Sequence, residues 1–214
     1  MAVEKKAKLA RITSPKGIAK YPWLSRPDVQ FNTDGVFKVN LLIPEAEAVG
    51  LCSVLDNAAA AALADARAKA KNPALAKAIT LAPPYSKAVD DAGEETGDIE
   101  FKFKMNARVT FSDGKTRDMK PAFFDAKGKA MEECPNVYGG SVLKVNFSPA
   151  PYYAASSKSA GVSLRINAVQ IIELVTGGGG TATGFGFAEE ADGFDSDTLQ
   201  STGGTVASEG SSDF

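Results

Sequence analysis

Phe101-Lys102-Phe103-Lys104-Met105-Asn106-Ala107-Arg108-Val109-Thr110-Phe111 is the stretch that decides the fold class. Phe101, Phe103, Met105, Ala107, Val109 and Phe111 fall on one face, and Lys102, Lys104, Asn106, Arg108 and Thr110 on the other. That is the period-two pattern of a strand with one side in a core and the other in water. Asp113-Gly114 reads as a hairpin turn into a return strand over 115–124, and 125–129 as another turn. Upstream, residues 35–43 alternate in the same way, with Phe37, Val39, Leu41 and Ile43 on one face and Lys38 and Asn40 on the other, and Pro44 ends the run. Residues 45–71 are alanine-rich, with Leu51, Leu55, Ala58 and Ala62 at helical spacing and Asn72-Pro73 as a stop, so a long helix is predicted. Residues 80–98 hold Pro83, Pro84, Gly93, Gly97 and the acids Asp90, Asp91, Glu94, Glu95 and Asp98, which predicts an exposed loop without a strand. Two further strands are expected near 141–148 and 161–175.

About five to seven strands with one unrepeated helix exclude alternating βα units and predict a mainly β chain. An OB-fold, a five-stranded Greek-key barrel that tolerates long insertions, is favoured, with the helix inserted between early strands. A β-sandwich is the competing topology.

The 214 residues allow one domain over 1–176 and a tail over 177–214. At 44% hydrophobic and 23% charged the composition is that of a soluble globular protein, no run approaches about 18 consecutive apolar residues, and no membrane contact is expected. The absence of histidine excludes Ser-His-Asp and Cys-His catalysis and every His-containing zinc site. Cys52 and Cys134 form neither a CxxC pair nor a disulfide framework, which fits a reducing cytoplasm, and Lys5, Lys6 and Lys8 precede no apolar segment of a secretory signal.

The net charge of −2 hides a division. Residues 177–214 hold seven acids and no Lys or Arg, so the tail is −7 and the body +5. A basic surface with an acidic arm is a pattern of nucleic-acid proteins. Opening with four glycines and rich in Gly, Ser and Thr, the tail predicts disorder. As a coil it spans roughly 35 Å, enough to reach back over its own domain.

Few motifs offer chemistry. Gly114-Lys115-Thr116 resembles the end of a phosphate loop, but the position that needs the upstream glycine is Val109. The acids of 90–100 suggest a Mg²⁺-dependent nuclease as a rival reading, although catalysis needs carboxylates held rigidly. No cofactor is expected, and a structural assembly protein is a third reading. What remains is cations interleaved with aromatics. Lys102, Lys104 and Arg108 form a stripe able to track phosphates. Lys16, Lys20, Tyr21, Trp23 and Arg26 cluster around Pro22 and Pro27, and Tyr152 and Tyr153 precede Lys158 in a stretch expected to be loop. Bases stack on aromatic rings whatever their sequence, so the combination points to single-stranded nucleic acid.

These residues carry a family resemblance. The run from Gly35-Val36-Phe37-Lys38-Val39 to Ile43-Pro44 is part of it, with Phe101-Lys102-Phe103-Lys104 and Asp125-Ala126-Lys127-Gly128-Lys129. Met131-Glu132, Gly139-Gly140, Pro151-Tyr152 and the terminal Asp213-Phe214 complete it. The chain resembles the single-stranded DNA-binding replication proteins of short-tailed bacteriophages. The resemblance implies an OB barrel with a long helix, binding of single strands through Lys102, Lys104 and Tyr152, and no enzymatic activity. It also implies an acidic tail whose Asp213 and Phe214 contact the replicative DNA polymerase and the helicase-primase. A role in phage replication, recombination and repair in the cytoplasm of an infected bacterium follows, with a homodimer as a further expectation. Family tails are dense in Asp and Glu, whereas this one is rich in Gly and Ser.

Overall fold

The computed structural model describes residues 9–111 and 113–176. Among them the chain runs through β1 (Ile12–Thr13), β2 (Gly17–Asp28), β3 (Val36–Pro44), helices α1 (Glu45–Ala68) and α2 (Pro73–Ala78), β4 (Thr80–Leu81), β5 (Ser86–Val89) and β6 (Glu95–Asn106). It continues through β7 (Arg108–Thr110), β8 (Thr116–Asp118), β9 (Ala122–Phe124), β10 (Ala130–Met131), β11 (Val142–Ala154) and β12 (Ser159–Glu173). The protein is mainly β. Its five long strands close on themselves: β11 pairs with β2, β2 with β3, β3 with β6, β6 with β12, and β12 with β11 again. The β6–β12 contact is parallel and the other four are antiparallel. A sheet closed in this way hides the edges that would otherwise template aggregation.

The alternating residues fill this ring. Val39, Leu41, Ile43, Phe101, Phe103, Leu143, Phe147, Leu164 and Ile166 are buried, and Phe103 meets Phe147 edge-on at 5.0 Å. Helix α1 starts behind Pro44 with Glu45 and Glu47 in its first turn, where carboxylates complement the helix dipole. It lays Ala48, Leu51, Leu55, Ala59 and Ala62 against the barrel, mainly on β11 and β12. By length and composition α1 passes as a membrane span, a property it owes to its alanines. Asn72-Pro73 both ends this helical stretch and starts α2, the Asn72 side chain accepting the Leu75 N–H at 2.7 Å.

Four regions depart from the sequence reading. Residues 80–98 are not one loop, for they hold β4, β5 and the start of β6. Their turn formers are confined to a tip, where Asp90 Oδ1 accepts the Ala92 and Glu94 N–H groups and Gly93 takes a φ of 86°. Residues 17–28 form a strand in spite of Pro22 and Pro27. The β2–β3 register shifts on both sides of Trp23, so the prolines and the positive φ of Tyr21 fall where the ladder is interrupted. The stretch 101–111 is broken at Ala107, whose N–H goes to the Gly35 carbonyl; β7 and β8 form a separate hairpin around Gly114. The return strand stops at Asp118, and β9 joins β12 instead. Finally, β11 runs on to Ala154, so Tyr152 and Tyr153 belong to a strand rather than a loop. The tail, with Asp213 and Phe214, lies outside the described residues.

Candidate nucleic-acid interface

Residues directly opposite each other in a sheet project from the same face. The register sets Trp23 opposite Lys38, Lys38 opposite Lys104, and Lys104 beside Arg165, while Lys20 faces Asn40 and Asn40 faces Lys102. Two rows therefore cross the outside of the barrel over β2, β3, β6 and β12. The first carries Lys38, Lys104 and Arg165 on three adjacent strands. Like charges set opposite each other destabilise a sheet. Lys38 is compensated by an ion pair with buried Asp28, whose carboxyl is held below its ordinary range by that hydrogen bond and by the Gln30 N–H. Among the described residues Lys104 and Arg165 have no carboxylate within ion-pair distance.

Beside the rows lies a groove of about 580 Å³, lined by Lys38, Asn40, Lys102, Phe103, Lys104, Pro83, Pro84, Tyr85 and Tyr152. Glu100 also faces it, accepting the Asn40 amide at 2.8 Å and lying 4.0 Å from the Lys102 ammonium. Tyr85 is a fixed part of the wall. Its ring packs 5.5 Å from Phe101 and its hydroxyl donates to Asp56, and burial followed by that bond pushes its phenol well above the ordinary range. The Pro83-Pro84 wall stands close because Gly161 has no side chain: a Cβ there would lie 2.7 Å from the Ala82 carbonyl oxygen. Opposite Gly161, Tyr152 is 41% exposed and is available as a stacking surface at the groove's end.

The groove thus brings together Lys102, Lys104 and Tyr152, and its rows add Lys20 and Trp23. Tyr153 lines a neighbouring cavity of about 450 Å³ near the end of α1, which Tyr152 shares. Arg26 lies over the Trp23 ring at 5.6 Å, and both line a smaller hollow with Tyr138. Lys20 sits 5.3 Å from the centre of the exposed Tyr21 ring. Lys16 precedes β2, and Lys158 occupies the β11–β12 turn with a positive φ; neither lines the groove. Arg108 does not share the stripe with Lys102 and Lys104. It stands on the separate hairpin in a 2.9 Å contact with Asp118, which raises its pKa. Lys38 and Arg165 were missed by the sequence reading. Lys38 was visible as an outward residue of an alternating strand, and Arg165 is the single cation of β12.

A model of the single-stranded DNA-binding protein of bacteriophage T7 matches residues 16–174. The chain belongs to this family. It is 34% identical over 184 residues to the single-stranded DNA-binding protein of Escherichia phage T7, covering 78% of each chain. It is 34% identical over 182 residues to that of Enterobacteria phage T3, again with 78% of each covered. The crystal structure of the T7 protein, gp2.5, superposes with a TM-score of 0.61 at 31% identity, over 88% of this chain and all of that one. The protein of bacteriophage Enc34 in complex with single-stranded DNA superposes at 0.54 over 78% of this chain and 88% of that one. At 11% identity it speaks for the fold alone. Membership of a family of binding proteins makes this chain a binding protein rather than an enzyme, and the nuclease reading falls. The acids that suggested it serve structure: Asp90 closes a turn and Glu95 pairs with Lys87 at 2.7 Å.

Proposed function

We propose that the chain binds single-stranded DNA without sequence preference along this groove. Phosphates lie against Lys38, Lys102, Lys104 and Arg165, and bases stack on Tyr152 and the Trp23 region. The observation that carries the reading is the in-register pair Lys104 and Arg165, which no carboxylate compensates among the described residues, beside Lys38 and an aromatic-ended groove, a charge arrangement that a polyanion would relieve. The names of the phage T7 and T3 relatives support it. The five-stranded ring with one parallel contact supports an OB-type barrel with α1 inserted between its second and third strands.

The same reading extends to the tail. Residues 177–214 act as an acidic arm that competes with DNA for the groove, and Asp213 and Phe214 recruit a replicative polymerase and a helicase-primase. The protein then serves phage replication, recombination and repair in the cytoplasm of the infected host, with self-association as a dimer. The test is titration of the full chain with oligo(dT), read by Trp23 fluorescence and by anisotropy of a labelled strand, with a duplex of equal length as control. Quenching by the single strand alone, weakening with salt, is expected. Absence of single-strand binding in full-length and tail-deleted protein alike would refute the reading and favour an assembly role.

A further inference from the structure

Away from the groove lies a second hollow of about 410 Å³ on the outer face of β11 and β12. It is lined by Arg11, Lys144, Phe124, Gln170, Thr13 and Asn146, among others, with no acid in its lining. The turn at Asp125-Ala126-Lys127-Gly128-Lys129, which the groove leaves unexplained, forms its rim through Gly128. Gln170 donates to the Asp125 and Ala126 carbonyls at 3.1 and 3.3 Å, pinning that turn to β12. Asp125 Oδ1 accepts the Lys127 and Lys129 N–H groups and the carboxylate keeps its charge, so the two exposed lysines leave the turn a net +1 beside Arg11 and Lys144. Among the described residues none of these four cations has an ion-pair partner.

The hollow is joined to the groove. From Arg165, the last cation of the groove row, β12 presents Asn167 and then Gln170, about 17 Å further on at the usual rise per residue. The Asn167 amide donates to Asn146 and Ser148, and the Asn146 amide donates to Thr13. A ladder of side-chain amides therefore runs between the two cationic regions; Asn167 spends both its N–H groups within it, which leaves the second Asn146 N–H for a phosphate and the amide oxygens for sugar or base donors.

We propose that a long single strand leaves the groove at Arg165, follows the Asn167–Asn146 ladder and places a second segment of its backbone on Arg11 and Lys144. This rests on the reading of the groove as the primary site. It predicts two footprints: a short strand is held by the groove alone, and a longer one gains affinity and salt dependence from the second hollow. The experiment measures the affinity of oligo(dT) of about 8 and about 30 nucleotides for the full chain at 50 and 200 mM salt. Wild type is compared with Arg11→Ala/Lys144→Ala and with Lys102→Ala/Lys104→Ala, all checked by thermal unfolding. Loss of two phosphate contacts lowers the long-strand salt slope by about 1.4, so wild type loses about seven-fold more affinity than the first variant across that range. The short strand is unchanged by it. Equal effects of Arg11→Ala/Lys144→Ala on both lengths, or none on either, would overturn the extended path. If instead Lys102→Ala/Lys104→Ala leaves both lengths unaffected, the groove reading itself fails.

Discussion

Removing the charged row separates binding from stability in a way that few other changes can. In the triple variant Lys102→Ala, Lys104→Ala, Arg165→Ala, two cations leave the groove and a third leaves the row beside it; all three side chains are exposed, and the one ion pair lost among the described residues is the 4.0 Å approach of Lys102 to Glu100. Each phosphate contact to a single strand contributes about 0.7 to the salt slope, so the slope falls by about 2.1. Between 50 and 200 mM salt the wild-type protein should therefore lose about eighteen-fold more affinity for oligo(dT) than the variant. Stability should move the other way. Lys104 and Arg165 are register partners on strands about 4.8 Å apart, which brings their charges as near as about 5–6 Å when the side chains run parallel. Their repulsion is about 0.7 kcal/mol in water's dielectric, and roughly half that after screening at physiological salt. Losing it should raise Tm by about 1 °C, or leave it unchanged once lost stem contacts are counted. Fluorescence anisotropy over a salt series and calorimetry of the same preparations make the assay. An unchanged slope with an intact fold would refute the groove as the phosphate track. A fall in Tm of several degrees would show that the row is structural.

Tyr152→Ala should weaken oligo(dT) binding by about 1–3 kcal/mol with little change in the salt slope, because stacking is lost and charge is not; anisotropy at two salt concentrations separates the two. Gly161→Val places a side chain 2.7 Å from the Ala82 carbonyl, which should push the Pro83-Pro84 wall off β12, lower Tm and weaken strand binding together. The Asp28 carboxyl is held below its ordinary value, so its contribution to stability is present above the unfolded carboxylate pKa and is lost as pH falls through the lowered folded one. Asp28→Asn should therefore lower the urea midpoint at neutral pH and flatten its decline below about pH 4.

The parts of the molecule that could be read in advance are those where local pattern and long-range packing agree. Strands β3 and β6 bury one face each, so their period-two pattern survives in the sequence, and α1 shows as an alanine-rich run with leucines four apart. Strand β2 was hidden because two prolines and a register shift put its irregularities where a pattern would have to be counted. Strand β5 was hidden because the acids and glycine that make its turn dominate the composition of a short segment. Arg108 misled for the opposite reason. Its alternation with Phe101 and Phe103 continues past the point where Ala107 turns away to bond Gly35, and periodicity does not register a chain leaving its sheet. Lys38 and Arg165 become part of the site only through register, a relation between distant segments that no single strand displays.

Register is also what makes this surface hard to separate from the core. On β6, Phe101 and Phe103 are almost fully buried while Lys102 and Lys104 stand between them on the other face. A shift of one residue would send two lysines into the barrel and two phenylalanines into water. The cost of burying unpaired ammonium groups far exceeds any gain in strand pairing, so the packing of Phe103 against Phe147 holds Lys104 beside Arg165 without any bond between the cations themselves. The charged row is thus set from the inside. A cavity in that packing should accordingly reach the groove: Phe147→Ala, which removes the ring 5.0 Å from Phe103, should cost about 3–5 kcal/mol of stability. In the fraction that stays folded it should weaken oligo(dT) binding although no residue touching DNA has changed. Binding at full affinity by the folded fraction of that variant, measured below its unfolding transition, would show that the row is held by something other than the core.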